Sequence, residues 1–103
     1  MKPVAEFFSD EISTNEIGGR QGVVHYRLDL ADPYAMLVLG RVLSDGAQKH
    51  SPDNWRKIDW RTHVNHAVGH LYAALADDRG EDHLGNALAR VMMAVAQAPE
   101  GAE

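Results

Sequence analysis

The sequence predicts an all-α fold: a bundle of about three helices per chain, preceded by an extended N-terminal arm. Apolar residues recur at spacings of three and four in three segments between residues 33 and 96, which is typical of amphipathic helices. The two longest segments are separated by Asp78-Arg79-Gly80, so we expect them to pack as an antiparallel hairpin. The 103 residues are enough for one small core, and we expect oligomerisation to complete the bundle.

The composition excludes several classes of protein. Ten lysines and arginines against fifteen aspartates and glutamates give a net charge of −5, whereas proteins that bind nucleic-acid polymers present a basic surface. The chain has no cysteine, which excludes disulfides and thiolate chemistry. No apolar run approaches the about 20 residues of a membrane span, so we expect a cytoplasmic protein without a membrane partner. Histidine is in excess, with four of the six between His63 and His83.

The N-terminal part of the chain carries few apolar residues. Residues 1–22 are predicted to form a mobile or loosely docked arm, because acidic and turn residues dominate there. From Val24 to Leu30 apolar and polar residues alternate, which indicates a short strand or an extended segment with one buried edge. The predicted organisation is therefore an arm, a helical domain and a tail, at residues 1–22, 23–98 and 99–103.

The first helix is predicted over residues 33–45. Asp32 is a suitable N-cap and Pro33 suits the first helical position, while Gly46 is expected to end the helix. The loop that follows, residues 46–58, is polar and contains an aromatic residue. It lies in the only stretch of the chain with an excess of positive charge.

The second and third helices are predicted over residues 59–77 and 82–96. Each carries a stripe of apolar residues at helical spacing, which we expect to be buried. The stripes are Val64, Ala67, Val68, Leu71 and Leu75 in the second helix, and Leu84, Ala87, Leu88, Val91, Met92 and Val95 in the third. We predict homodimerisation through this hairpin, which would give a four-helix or larger bundle.

A row of polar residues lies beside each stripe. At 100° per residue, the first row falls within about 60° of the helix surface, and the second row has the same i, i+3, i+7 spacing. The rows are His63, His66, His70 and Asp77 in the second helix, and His83, Asn86 and Arg90 in the third. In an antiparallel hairpin both rows can face one cleft, with Asp77, Glu81 and Asp82 at its turn end. Such residues suit a phosphate-bearing anion and a hard divalent cation, although the histidines could instead be packing residues.

Four segments give the chain a resemblance to a known family. They are Arg27-Leu28-Asp29-Leu30, Gly46-Ala47-Gln48-Lys49-His50 with Asn54-Trp55-Arg56, Gly69-His70-Leu71-Tyr72-Ala73, and Glu81-Asp82-His83-Leu84-Gly85-Asn86-Ala87. Together they resemble the phage-type dATP/dGTP diphosphohydrolase N-terminal family, a MazG-like group of nucleotide pyrophosphohydrolases. The resemblance implies an all-α bundle, oligomerisation and the handling of nucleoside triphosphates with Mg²⁺. For a phage-encoded protein, the resemblance also implies that the protein is located in the cytoplasm of the host cell.

The segments that would form the metal motif depart from the pattern of the broader MazG-type group, which the chain resembles. That pattern pairs E-x-x-E on one helix with E-E-L-G-D on the next, and the four carboxylates hold Mg²⁺ against the triphosphate. Here Asp82-His83-Leu84-Gly85-Asn86 stands in the second position, and the second helix offers histidines in the first. Either the site uses fewer carboxylates together with the phosphates of the substrate, or it binds a nucleotide without hydrolysing it.

The rows and the resemblance together predict three sets of site residues. The catalytic set is Asp82, Glu81 and His83, and the metal set is Asp82, Glu81 and Asp77. The substrate-binding set is Lys49, Asn54, Trp55, Arg61, His66, His70, Asn86 and Arg90. Within it, the histidines and the arginine at the end of the row are expected to contact phosphates. Lys49, Asn54 and Trp55 are expected to close over the base or the ribose.

The sequence leaves three functions open. The first is a Mg²⁺-dependent pyrophosphohydrolase that cleaves a (d)NTP to (d)NMP and pyrophosphate with a metal-activated water. The second is a non-catalytic binder, for example a phage protein that sequesters a nucleotide or a nucleotide-derived defence signal. The third is a helical module that binds a protein partner and uses its histidines for packing. For the nucleotide-handling functions the expected assembly is a homodimer or tetramer.

Overall fold

The computed structural model describes residues 8–102, in which a two-stranded antiparallel sheet precedes three α-helices. Contacts within the chain divide it into two units, Met1–Ala31 and Asp32–Glu103. The helices confirm the predicted helical content, but the sheet corrects the expectation of an all-α chain. The domain boundaries proposed at residues 22 and 98 stay predictions. No helix in the described part of the chain is long and apolar enough to cross a bilayer.

The N-terminal unit contains a β-hairpin where an arm was predicted. Strand β1 (Phe8–Thr14) pairs with β2 (Arg20–Val24), with Thr14 opposite Arg20. In the connecting turn, the Asn15 side chain accepts hydrogen bonds from the amides of Ile17 and Gly19, at 3.1 and 2.8 Å. This Asx-type turn brings the strands together although they contain few apolar residues. Residues 1–7 of the predicted arm lie outside the described residues.

The extended segment predicted from Val24 to Leu30 ends at its first residue. Leu28–Leu30 forms a 3₁₀ turn instead. Arg27 donates two hydrogen bonds of 2.8 Å to the carboxylate of Asp29, two residues further on. In a strand, neighbours at i and i+2 both point to the same face about 7 Å apart, so this bidentate pair favours the turned backbone over the strand.

Helix α1 (Pro33–Lys49) begins as predicted and is longer than predicted. The Asp32 side chain caps it by accepting from the amide of Ala35 at 3.0 Å. The expected end at Gly46 is wrong, because the helix continues and the Gly46 carbonyl accepts from the amide of His50 at 3.0 Å. A glycine inside a helix costs about 1 kcal/mol and does not by itself end it.

Helices α2 (Trp60–Leu75) and α3 (His83–Gln97) form the predicted hairpin and pack on each other, while α1 packs on α3. Asp59 and Asp82 cap their N-termini. The end of α2 is a Schellman motif. The amide of Asp78 donates to the Ala73 carbonyl at 3.0 Å, and Asp77 adopts the left-handed conformation with φ = 61°.

The hairpin packs through small residues and histidines, and the fully buried members of the predicted stripes are their alanines. The buried apolar residues of this unit are alanines: Ala67, Ala87, Ala89, Ala94 and Ala98. His63 and His83 are buried with them. Within the stripes, the predicted burial is confirmed for Ala67 and Ala87, while Leu88 and Met92 are half-buried. It is wrong for the other large stripe residues, which are exposed in a single chain, from 40% at Val64 to 81% at Leu75. Alanine allows the two backbones to approach closely. The larger stripe residues lie one position further along each helix, beside this contact.

Gly85 is required where α3 meets α1. A Cβ at this position would lie 2.8 Å from Cγ1 of Val38 and would clash with the Asp82 carboxylate. We expect Gly85→Ala to lower the free energy of unfolding by about 1–3 kcal/mol. In Gly40→Ala, the matched control within α1, the new Cβ meets nothing within 4 Å. That change is expected to raise the same quantity by about 0.5–1 kcal/mol.

Chemical denaturation followed by circular dichroism measures both variants. Equal effects of the two substitutions would contradict the close approach at Gly85.

Candidate functional site

One cleft in the helical unit collects most of the polar residues that the sequence singled out. It has a volume of about 920 Å³, which is in the range of small-molecule sites. Its walls are the C-terminal half of α1, the loop that follows, and the facing sides of α2 and α3. The charged and polar residues that line it include Arg41, Lys49, His50, Asn54, Trp55, His63, His70, Glu81, Asp82, Asn86 and Arg90.

The structure brings six of the eight predicted substrate-binding residues to this cleft. They are Lys49, Asn54, Trp55, His70, Asn86 and Arg90. The other two lie elsewhere. The guanidinium of Arg61 lies 4.7 Å from the ring centroid of Trp60, and His66 is exposed on α2. Trp55 lies in a 3₁₀ turn (Asn54–Lys57) and is half-buried.

His63 connects the loop to α3 through two hydrogen bonds and is fully buried. Its Nε2 lies 2.9 Å from the Trp55 carbonyl oxygen, and its Nδ1 lies 3.1 Å from Nη1 of Arg90. A carbonyl can only accept and a guanidinium can only donate, so Nε2 carries the proton and Nδ1 is the acceptor. His63 is therefore a neutral positioning residue that orients Arg90.

The loop is anchored to α3 a second time. Nε2 of Gln97 donates to the carbonyl of Arg56 at 2.7 Å. The guanidinium of Arg56 in turn lies 4.2 Å from the ring centroid of Trp55. Because two helices hold consecutive carbonyls of the 3₁₀ turn, the indole at the cleft wall has a fixed position.

Arg90 provides a half-buried positive charge beside the cleft. Burial lowers the pKa of this guanidinium from its ordinary value. Among residues 8–102, no carboxylate forms an ion pair with Arg90. The charge of Arg90 is also the main cause that lowers the pKa of His66, and burial adds to it. An anion that entered the cleft would offset this positive field.

The lowered pKa of His66 predicts a pH dependence. The folded state favours neutral His66, so this residue costs no stability above the ordinary histidine pKa of about 6.5. The free energy of unfolding falls as pH decreases from there towards the lower folded-state pKa, and the loss does not grow below it. In Arg90→Met, the pKa of His66 is expected to rise towards its ordinary value because the main cause is removed. NMR titration of the His66 ring protons measures this. Arg61→Met is the control, and an equal rise in that variant would contradict the assignment to Arg90.

Three possible metal-ligating residues meet at the turn end of the hairpin. His70 Nδ1 and His83 Nδ1 are 3.0 Å apart, and Oε1 of Glu81 lies 3.6 Å from the first and 3.5 Å from the second. No other group of three His, Asp or Glu side chains within the described residues is close enough to share an ion. We call His70, Glu81 and His83 the His–Glu triad.

Asp78 supports the triad from the turn. Its Oδ2 lies 3.1 Å from His83 Nε2, and its Oδ1 accepts from the amide of Gly80 at 2.9 Å. The Gly80 amide is the main cause that lowers the pKa of Asp78, and the hydrogen bond with His83 adds to it. Asp78 is therefore an ionised carboxylate that accepts a hydrogen bond from Nε2–H of His83.

The three carboxylates predicted to hold Mg²⁺ line one shallow depression at the turn, but their oxygens do not form a group that could share one ion. The Asp82 carboxylate caps α3 by accepting from the Gly85 amide at 3.0 Å, and its other oxygen pairs with Arg41 at 2.5 Å. Asp77 forms the left-handed cap of α2 and lies 4.0 Å from Arg79. Only Glu81 belongs to the triad. Mg²⁺ prefers oxygen ligands in octahedral geometry, so these residues do not fit a protein-built Mg²⁺ site.

Two residues at the site had no signal in the sequence. Arg41 donates a hydrogen bond to Asp82, which lies 41 residues later in the sequence, and no residue near Arg41 in α1 indicates this partner. Asp78 was interpreted only as part of a turn, yet it orients His83.

The comparison with protein families gives one result that covers this site. The profile described as dATP/dGTP diphosphohydrolase, N-terminal, matches residues 15–103, which include every residue of the cleft and of the His–Glu triad. No curated protein and no solved structure matches the chain. Since the match extends over most of the sequence and agrees with the resemblance found in its motifs, the chain belongs to the dATP/dGTP diphosphohydrolase N-terminal family.

Proposed function

We propose that the protein binds a deoxynucleoside triphosphate in the cleft and hydrolyses it to the monophosphate and pyrophosphate. The observation that carries the proposal is the combination of the family match with a cleft that gathers cationic and imidazole side chains. In the reaction, the oxygen of a water molecule forms a bond to the α-phosphorus. The bond from that phosphorus to the bridging oxygen of the β-phosphate breaks, and pyrophosphate leaves.

The residues of the cleft divide between the two ends of such a substrate. Arg90 is held by His63 at 3.1 Å and Lys49 lies at the end of α1, so both supply positive charge for the phosphates. Trp55 supplies an aromatic surface for a base, and Asn54 supplies amide hydrogen-bond donors and acceptors. Because the carboxylates of the described residues 8–102 do not assemble a Mg²⁺ site, the reaction is tested with more than one metal.

The test is incubation of the chain with dATP and dGTP, followed by chromatography of the products. Each nucleotide is supplied with Mg²⁺ and, separately, with Mn²⁺ or Co²⁺. Deoxynucleoside monophosphate and pyrophosphate in equal amounts are the expected products. If a nucleotide raises the melting temperature and is recovered unchanged with every metal, the protein is a non-catalytic binder and not an enzyme. If no nucleotide changes the melting temperature, the remaining function is that of a protein-interaction module.

We also propose that two copies of the chain pair through one apolar face of the hairpin, the hairpin seam. It consists of Val64, Val68, Leu71 and Leu75 from α2, and Leu84, Leu88, Val91 and Val95 from α3. In both helices the spacing is four, three, four, which is the spacing of helices that pack by knobs into holes. No charged residue interrupts either row.

The antiparallel arrangement supports a single continuous seam. In each helix, the seam lies one residue, or about 100°, from the face that packs on the other helix. Because the two helices run in opposite directions, the same rotation turns both rows to one side of the hairpin. Each row is apolar along its whole length, so the same rows of a second copy, related by a twofold axis, would cover them. The result would be a four-helix bundle.

A further inference from the structure

We propose that the His–Glu triad binds one late first-row divalent cation, such as Zn²⁺ or Co²⁺, in preference to Mg²⁺. The proposal concerns the chain without nucleotide and does not depend on the proposed hydrolysis. It goes beyond the metal expected from the resemblance, because its ligands are two imidazole nitrogens and a single carboxylate oxygen.

The spacing of the three donor atoms fits one ion. Their separations are 3.0, 3.5 and 3.6 Å. The centre of a triangle with these sides lies about 2.0 Å from each corner, which is close to the Zn–N and Zn–O distances of about 2.0–2.2 Å found in proteins. No side chain has to change its rotamer to bring the donors within reach of a common cation.

The hydrogen bonds around the triad leave its potential metal-ligating atoms facing one another. Nε2–H of His83 donates a hydrogen bond to Asp78, so Nδ1 of His83 presents a lone pair. This Nδ1 faces Nδ1 of His70 at 3.0 Å, where two lone pairs would repel unless a proton lies between them. A cation that replaces this proton also takes the Glu81 oxygen as a ligand. An imidazole that binds a metal and donates its other N–H to a carboxylate is the usual arrangement in metalloproteins.

The chemistry of the donors decides which ions are favoured. Imidazole nitrogen suits Zn²⁺, Co²⁺, Ni²⁺ and Fe²⁺, and two histidines with one carboxylate form a three-ligand set that leaves positions open for water or substrate. Mg²⁺ retains its waters and prefers oxygen ligands. The His83 side chain is only 9% exposed and that of His70 is 20% exposed, so the site is partly shielded from solvent. His70 and Glu81 also line the cleft, which places the triad in its wall.

The experiment titrates the full chain, freed of metal by a chelator, with Co²⁺ alone. Visible absorption of bound Co²⁺ and calorimetry with Zn²⁺ are the two measurements. One equivalent per chain is expected, and millimolar Mg²⁺ is expected not to displace it. Glu81→Gln and His70→Gln should each lower the affinity by about 100-fold or more, and Asp78→Asn by about 10-fold. Glu81 is more than half exposed, so its replacement is expected to leave the fold intact.

His66→Gln is the matched control, since it removes an exposed histidine from the same helix α2. Its affinity for Co²⁺ should equal that of the unmodified chain. The proposal is overturned by the absence of a Co²⁺ absorption band in the unmodified chain, by displacement with Mg²⁺, or by equal losses in the His66→Gln and His70→Gln variants. Because no nucleotide is present, the result is independent of whether the protein cleaves dNTPs.

Discussion

Replacing Arg90 with glutamine is expected to weaken the binding of a deoxynucleoside triphosphate by about 100-fold. A charged hydrogen bond to phosphate in a partly desolvated site contributes about 2–3 kcal/mol, and 1.4 kcal/mol corresponds to a tenfold change in affinity. Arg90 is half-buried, is oriented by His63 and forms no ion pair with a carboxylate among the described residues. Its charge is therefore available to an anion in the cleft.

Calorimetric titration with a dATP analogue that carries a methylene group between the α- and β-phosphates measures this affinity. Glutamine keeps an N–H donor that can reach towards His63, so the buried Nδ1 need not lose its partner. Arg61→Gln is the matched control, because Arg61 lies on Trp60 and outside the cleft. An Arg90→Gln variant that binds the analogue as tightly as the unmodified chain would remove Arg90 from the phosphate site.

The N-terminal ends of the helices could be predicted from the sequence because helix N-caps are local. Asp32, Asp59 and Asp82 each accept a hydrogen bond from an amide two or three residues ahead, so a short stretch of sequence contains the whole interaction. The β-hairpin could not be predicted in this way. Its strands are joined by backbone pairing, and the alternation that suggested a strand lay beyond Val24, where Arg27 and Asp29 close a turn.

The candidate site was predictable in its composition and not in its detailed contacts. Equal spacing in the two polar rows placed His70 near His83, because an antiparallel hairpin makes such rows meet. Periodicity cannot fix the rotation of each helix, and two faces about 100° apart were both able to pack. The alanine and histidine face forms the contact within the chain. This choice made His63 a buried positioning residue and left most valines and leucines of the two rows exposed.

The exposure of these rows leads to the second large effect, on self-association. Leu71→Glu is expected to raise the dissociation constant of the homodimer by at least about 100-fold. In a twofold assembly the substitution occurs twice, and each new carboxylate loses water at an apolar contact without a partner, at a cost of several kcal/mol. Sedimentation over a range of concentrations measures the change. Thr62→Glu adds the same charge to α2 on the opposite side from the hairpin seam, and its dissociation constant should not change.

The stability of the single chain separates this interpretation from a role of Leu71 in the fold. Leu71 is 43% exposed in one chain, so a glutamate there can keep its carboxylate in water while its methylene groups retain part of the leucine contacts. The unfolding free energy of the dissociated Leu71→Glu chain should therefore lie close to that of the unmodified chain at concentrations where both are monomeric. A large loss of stability at every concentration would mean that the seam packs within the chain. An unmodified chain that is monomeric at all concentrations would show that the seam is not a dimer interface.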